Sequence, residues 1–224
     1  MAAIGGSVFR LGAILLGVIF LCSCAAPSAS VSLSGTGGLY KRIAVLPFQQ
    51  AKPEDVMNRL MPRDIAGQTD LSADSAETVV ESLFLEKLGE NREIEVIPVD
   101  RTKDLYRQLA TESISTREAD LIRRLGKELN ADAIVVGYVY RYNEWKGTAY
   151  AVEKPASVAF EIQLVDTREG ARKWRAIFDE TQRSLMENLL QFRFFVKGKG
   201  QWVTAKELAE EGVEQIMQSF PGAR

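Results

Sequence analysis

Cys22 and Cys24, one residue apart in LLGVIFLCSCAAPSAS, are the only thiols in the 224-residue chain. Two cysteines that close cannot brace a loop as an ordinary disulfide, and no later thiol exists to pair with either. The folded part therefore has no disulfide staple, no cysteine nucleophile and no zinc–thiolate cluster. Histidine is absent altogether, which removes imidazole bases, His-dependent triads and His metal ligands. Acid–base chemistry would fall to carboxylates. Asp179 and Glu180 beside Gln182 are the most suggestive group, yet neighbours on a strand point to opposite faces. They read as a solvated strand end. The KGKG run at 197–200 is too short for a phosphate loop and lacks the strand that should precede one. No catalytic residue, cofactor or metal is expected.

Two aromatic groupings remain. Tyr138, Tyr140 and Tyr142 alternate along one expected strand. They read either as an aromatic binding platform or as packing, core at one end and under a helix at the other. The segment LLQFRFFVKGKGQW, residues 189–202, places Phe192, Phe194, Phe195, Val196 and Trp202 among Arg193, Lys197 and Lys199. Exposed, such a patch suits a protein partner or a membrane surface. Buried, it would cover a sheet edge. Phe192, Phe194, Phe195 and Trp202 are the candidate partner-binding residues.

Charge sets a further bound. Lys and Arg number 28 against 30 Asp and Glu, a net charge of −2, and no long basic run occurs. A nucleic-acid grip needs a clustered basic face, so no nucleic-acid partner is expected.

The amino-terminal 23 residues have the pattern of an export signal. Arg10 is the only charged residue before Lys41, and it precedes an apolar run, Leu11–Cys22. That run is shorter than the roughly 20 residues a membrane-spanning helix needs. The tetrad Leu21-Cys22-Ser23-Cys24 resembles the bacterial lipobox: aliphatic, tolerant, small, then cysteine. The resemblance implies that Cys24 receives a diacylglycerol, that cleavage precedes it, and that the new amino terminus is acylated as well, for instance with palmitate. Cys22 fits less well, because bulky Leu21 would fill the small-residue place. Several acyl chains, each buried CH₂ contributing about 0.8 kcal/mol, hold a protein at a bilayer firmly. Ala25, not Asp, follows the cysteine, which under the enteric sorting rule implies the outer membrane. The next stretch, AAPSASVSLSGTGGLY, is rich in Ser, Gly and Ala and reads as a flexible tether. The expected division is thus 1–23 signal peptide, 24–40 lipidated tether and 41–220 globular domain, facing the periplasm.

Within that domain, residues 41–49 read as a buried strand and 93–99 as another. A polar loop at 50–74 separates the first strand from a helix over 74–88, with Asp74 and Glu77 as a capping box and Gly89 as its stop. A short helix over 102–110 follows. Ser115 and Glu118 suggest a second box, opening a helix that buries Ala119, Ile122, Leu125 and Leu129 and closes at Asn130. The period then changes. ADAIVVGYVYRYNEW, SVAFEIQLVD and ARKWRAIFDETQ read as three strands, the last two a hairpin. Val158, Phe160, Ile162 and Leu164 point inward, and Glu161 and Gln163 outward. Thr204 and Glu207 cap a last helix. The order β-α-β-α-α-β-β-β-α predicts a single three-layer-like α/β domain with a mixed sheet, parallel early and antiparallel late.

IAVLPF at 43–48, ADAIVVGYV at 131–139 and VAFEIQLVDTREGARKW at 158–174, in that order, resemble the domain shared by TolB amino-terminal modules, CsgG-type curli-secretion lipoproteins and LpoB-type activators of cell-wall synthases. The resemblance spans about residues 42–178. It implies a lipid-anchored binding or adaptor module for an envelope protein, without catalysis. The alternative it leaves is an oligomeric secretion component of the CsgG type. Such pores insert hairpins of about 9–11 alternating residues per strand, and no such pair is apparent.

Overall fold

The computed structural model describes residues 30–33, 40–56, 75–112, 117–148, 151–182 and 203–222. Seven strands form one mixed sheet: β1 (Ser30–Leu33), β2 (Arg42–Val45), β3 (Gln49–Gln50), β4 (Glu95–Ile97), β5 (Ala133–Asn143), β8 (Ser157–Asp166) and β9 (Ala171–Thr181). The spatial order is β1-β9-β8-β5-β2-β4, with β3 pairing on β5. The pairings of β2 with β4 and β5 are parallel, whereas β5-β8, β8-β9 and β9-β1 are antiparallel. Between β5 and β8 lies a separate two-stranded sheet, β6 (Lys146–Thr148) with β7 (Ala151–Lys154). The helices are α1 (Pro53–Val56), α2 (Ala76–Gly89), α3 (Val99–Glu112), α4 (Glu118–Leu129) and α5 (Ala205–Met217).

Strand alternation sends each strand's side chains to two different cores, which makes the domain three layers. Ile43, Val45, Val135, Phe160, Leu164, Trp174 and Phe178 pack with Val80, Phe84 and Leu88 of α2 and Leu208, Val213 and Ile216 of α5. Ala44, Leu46, Ile134 and Val136 face the other way, against Tyr106 and Leu109 of α3 and Ile122, Leu125 and Leu129 of α4. Phe220 links two rings of the first core, edge-on to Trp174 at 5.1 Å and to Phe84 at 5.7 Å between centroids. The expected order of elements is therefore present, with additions. Ser30–Leu33, inside the span read as a tether, forms β1 and pairs with β9. That pairing satisfies backbone groups that β9 would otherwise leave as an open edge.

Caps explain most of the boundaries. The N-cap of α2 is Ser75, one residue after the expected Asp74, and its side chain accepts from the Thr78 N–H. The box expected from Ser115 is not what caps α4. Arg117 sits at the N-cap with no side-chain hydrogen bond, and Ser115 lies outside the described residues. Asn130 does close α4, in the left-handed conformation at φ 52°, which Asn tolerates well. Thr204 and Glu207 form the full reciprocal capping box of α5. The hairpin turn Asp166-Thr167-Arg168-Glu169-Gly170 is held by Asp166 Oδ1, which accepts from the N–H groups of Arg168 (2.8 Å) and Glu169 (2.9 Å). Gly170 completes it at φ 67°, where a β-carbon would be strained.

Candidate functional site

Five residues singled out on sequence grounds, Cys24, Phe192, Phe194, Phe195 and Trp202, lie outside the described residues, as does KGKG at 197–200. The remaining candidates fall on β5 and β9, with Gln182 just beyond the end of β9. Asp179 and Glu180 point apart as expected, and Asp179 pairs with Arg141 across the sheet. They form no dyad. The tyrosine series does not share one face. Val139 pairs with Phe160, but Arg141 then pairs with Ala159, so Tyr140 is the extra residue of a β-bulge. The bulge resets the alternation. Tyr138 and Tyr140 belong with the α3–α4 core, while Tyr142 packs against the α2–α5 core.

Released by that bulge, Tyr140 reaches Glu161. Glu161 and Gln163 do take the face opposite Phe160 and Ile162, but the expectation that they point to solvent is wrong: both are fully buried. The reason is a set of mutual contacts. Oε1 of Glu161 accepts from Arg175 Nε at 2.5 Å and from Gln163 Nε2 at 2.7 Å. Oε2 accepts from Arg175 Nη2 at 2.7 Å and from the Tyr140 hydroxyl at 2.5 Å. Gln163 in turn accepts from Arg172 at 3.3 Å. The bidentate guanidinium is the arrangement that best offsets the desolvation of a carboxylate.

This cluster's chemistry follows from its saturation. Four donors occupy both oxygens of Glu161, so no lone pair is left for a substrate proton or a metal. The Tyr140 phenol is pushed far above its ordinary pKa of 10, first by burial and then by its hydrogen bond to Glu161. It stays a donor and not a nucleophile. The Arg175 guanidinium is raised by the same Glu161 contact. The cluster organises the sheet. Around it, Arg172, Arg175 and Ile177 are half-buried and Asp179 is exposed, giving β9 a polar, partly open face.

A carboxylate with a raised proton affinity sits on α2. Glu81 accepts from the Phe48 N–H at 2.7 Å. Its pKa is raised above its usual 4.5 mainly by burial, against the lowering effect of the Phe48 bond and of Lys103, with Asp100 raising it further. A raised acid contributes stability that is present below about 4.5 and lost as pH rises through the folded-state value. The expected result is a thermal midpoint that declines over that acidic window in the parent protein. In Glu81→Gln, whose carbonyl still accepts from Phe48, the decline flattens and the midpoint at neutral pH rises.

Among the described residues no group of three or more Asp, Glu, Cys or His side chains is placed to hold a metal ion, and no helix is long and apolar enough to cross a membrane. No family model and no curated protein matches the chain. Solved structures do. The PelC dodecamer from Paraburkholderia phytofirmans is 13% identical, aligned over 87% of this chain and 99% of that one, with a TM-score of 0.47. Lipoprotein GNA1162 from Neisseria meningitidis is 16% identical over 71% and 96%, with a TM-score of 0.39. The LpoB C-terminal domain from Escherichia coli is 12% identical over 66% and 88%, with a TM-score of 0.37. The class of the chain, a three-layer α/β domain on a mixed sheet, rests on the strand order and the two cores described above.

Proposed function

We propose that this chain is a lipoprotein, anchored to the outer membrane through acylated Cys24 and facing the periplasm, that serves as a binding or adaptor module for an envelope protein. It carries no catalytic activity of its own in this reading. The observation that supports it most is Leu21-Cys22-Ser23-Cys24 behind a charged start and a short apolar run. Ala25 favours the outer membrane. The partner-binding residues are Phe192, Phe194, Phe195 and Trp202, in a segment whose two ends meet. Gln182 donates its N–H to the Ala156 carbonyl at 2.9 Å. With its amide oxygen and nitrogen exchanged, the Gln182 side chain pairs with both backbone groups of Val203 at 3.1 and 3.2 Å. Gln182 and Val203, the described residues that flank that segment, lie together at the Thr181 end of the sheet. The described hairpin β6–β7 has strands of three and four residues, well short of the 9–11 a barrel strand needs. That gives no support to a secretion pore.

Two measurements test the reading. Intact-mass analysis of the mature protein is expected to find residue 24 first, carrying acyl mass. A start elsewhere with a free thiol would end the anchored reading. Crosslinking in living cells should lose most of its partner adduct in the Phe194→Ser/Phe195→Ser variant. Undiminished adduct would remove the 189–202 patch from the proposal.

A further inference from the structure

The pairing of β1 with β9 fixes more than an edge. Ser30 is opposite Ile177 and Leu33 opposite Trp174, in antiparallel register. Traced back from Leu33 to Ser30, the strand therefore runs along β9 toward Thr181 and away from the turn at 167–170. Only six peptide steps separate Cys24 from Ser30. Fully extended, they reach at most about 20–22 Å.

That reach decides which part of the domain meets the lipid. From Ile177 to Thr181 is four residues, about 13 Å of strand, so an extended leash clears that end of the sheet by about 7 Å. From Ile177 to Gly170 is seven residues, about 23 Å. A leash that doubled back would use its whole length merely to reach the level of the turn, with nothing left to enter the headgroups. Across the sheet, β4 lies five strand spacings from β1, about 24 Å, and is equally out of range. Resting on the proposed acylation of Cys24, we infer that the corner of the sheet where β1 meets the Thr181 end of β9 is held against the lipid surface. The other end of the sheet, bearing the 167–170 turn, and the far edge strand β4 face away from the membrane.

Several features of the near end follow from the same topology. β5 ends there at Asn143 and β8 begins there at Ser157, so the β6–β7 hairpin leaves from and returns to the membrane side. The far end carries the close of α4 and the start of β5, with Asp166 opposite Ala133. The domain does not float freely on a long tether. Five residues between lipid and first strand hold one face down and present the α4 end to the periplasm.

The experiment uses the lipidated chain. In the mature protein the thiol of Cys24 is consumed by the thioether and no other cysteine remains, so a cysteine introduced by substitution is the one site a maleimide fluorophore takes. Lys154 on β7 and Glu128 on α4 are both exposed and lie at opposite ends. Lys154→Cys and Glu128→Cys are labelled, and each is reconstituted in phosphatidylcholine vesicles containing a headgroup spin-labelled lipid. The expected result is several-fold stronger quenching at position 154 than at 128. Inserting a Gly-Ser stretch of about twenty residues between Ala29 and Ser30 should erase the difference, because the leash then reaches every face. Equal quenching in the parent chain, stronger quenching at 128, or a difference that survives the insertion overturns the inference. Acyl mass is checked on each sample. Its absence would bring down the anchored reading and this inference together, whereas equal quenching with acyl mass present brings down the orientation alone.

Discussion

Arg175→Met lowers the free energy of unfolding by about 3–5 kcal/mol, because it leaves Glu161 as a buried carboxylate without its cation. The effect is large against the roughly 5–15 kcal/mol that holds a domain of this size together. The two partners are not symmetric. The Glu161 side chain is fully buried, while that of Arg175 is 27% exposed and can turn toward water when its partner goes. Glu161→Leu therefore costs less than Arg175→Met. The double variant Glu161→Leu/Arg175→Met costs less than either, since replacing a buried ion pair by apolar groups of similar volume is close to neutral. Tyr140→Phe removes one of four donors and costs about 1 kcal/mol. Urea unfolding of the series reads all four values. Additive losses from the two single variants would refute the idea that Glu161 and Arg175 act as a pair, and retained stability in Arg175→Met would mean that the other donors suffice.

The cluster marks where reading the chain residue by residue stops working. Alternation in SVAFEIQLVD assigns Val158, Phe160, Ile162 and Leu164 to one core, and they are there. The same alternation puts Glu161 and Gln163 on the opposite face correctly, but not their burial. Burial depends on Arg175, fourteen residues away, and on a bulge that no local pattern announces. A period-2 rule carried through Tyr138, Tyr140 and Tyr142 fails for that reason: one inserted residue exchanges the faces. A cap is a local contact, and Asn130 and the Thr204–Glu207 box stand where they are expected, but Ser75 and Arg117 hold the N-cap positions read at Asp74 and Ser115. Ser30–Leu33 was missed because four residues of SVSL carry too little hydrophobic contrast to announce a strand. Their pairing comes from the free edge of β9. The proposed lipid site is the reverse case. Leu21-Cys22-Ser23-Cys24 can be read without a fold, because a lipobox is a linear pattern.

Gly137→Ala is expected to destabilise the domain by about 3 kcal/mol, the upper range for overpacking a well-filled core. The sign is informative. In a strand interior, alanine ordinarily gains about 0.5–1 kcal/mol over glycine by restricting the unfolded chain. Here a β-carbon at 137 would stand 2.4 Å from three ring atoms of Phe48. Phe48 has nowhere to move. It is fully buried, its N–H is bound to Glu81, and its ring packs on Phe84 at 5.8 Å between centroids. The main chain at 137 cannot withdraw either, because Gly137 is paired with Ile162 on β8 in the centre of the sheet. A glycine inside ADAIVVGYVY is thus the sequence trace of a close approach, although the group approaching it, Phe48, lies 89 residues earlier. Phe48→Ala alone costs about 3–5 kcal/mol through the cavity it opens. Combined with Gly137→Ala, the added methyl occupies part of that cavity, so the double variant loses at least 1 kcal/mol less than the sum of the singles. Strict additivity would mean that the ring and the glycine do not share one space. A Gly137→Ala protein as stable as its parent would show that β5 can shift within the sheet, and that the two cores are not locked together through it.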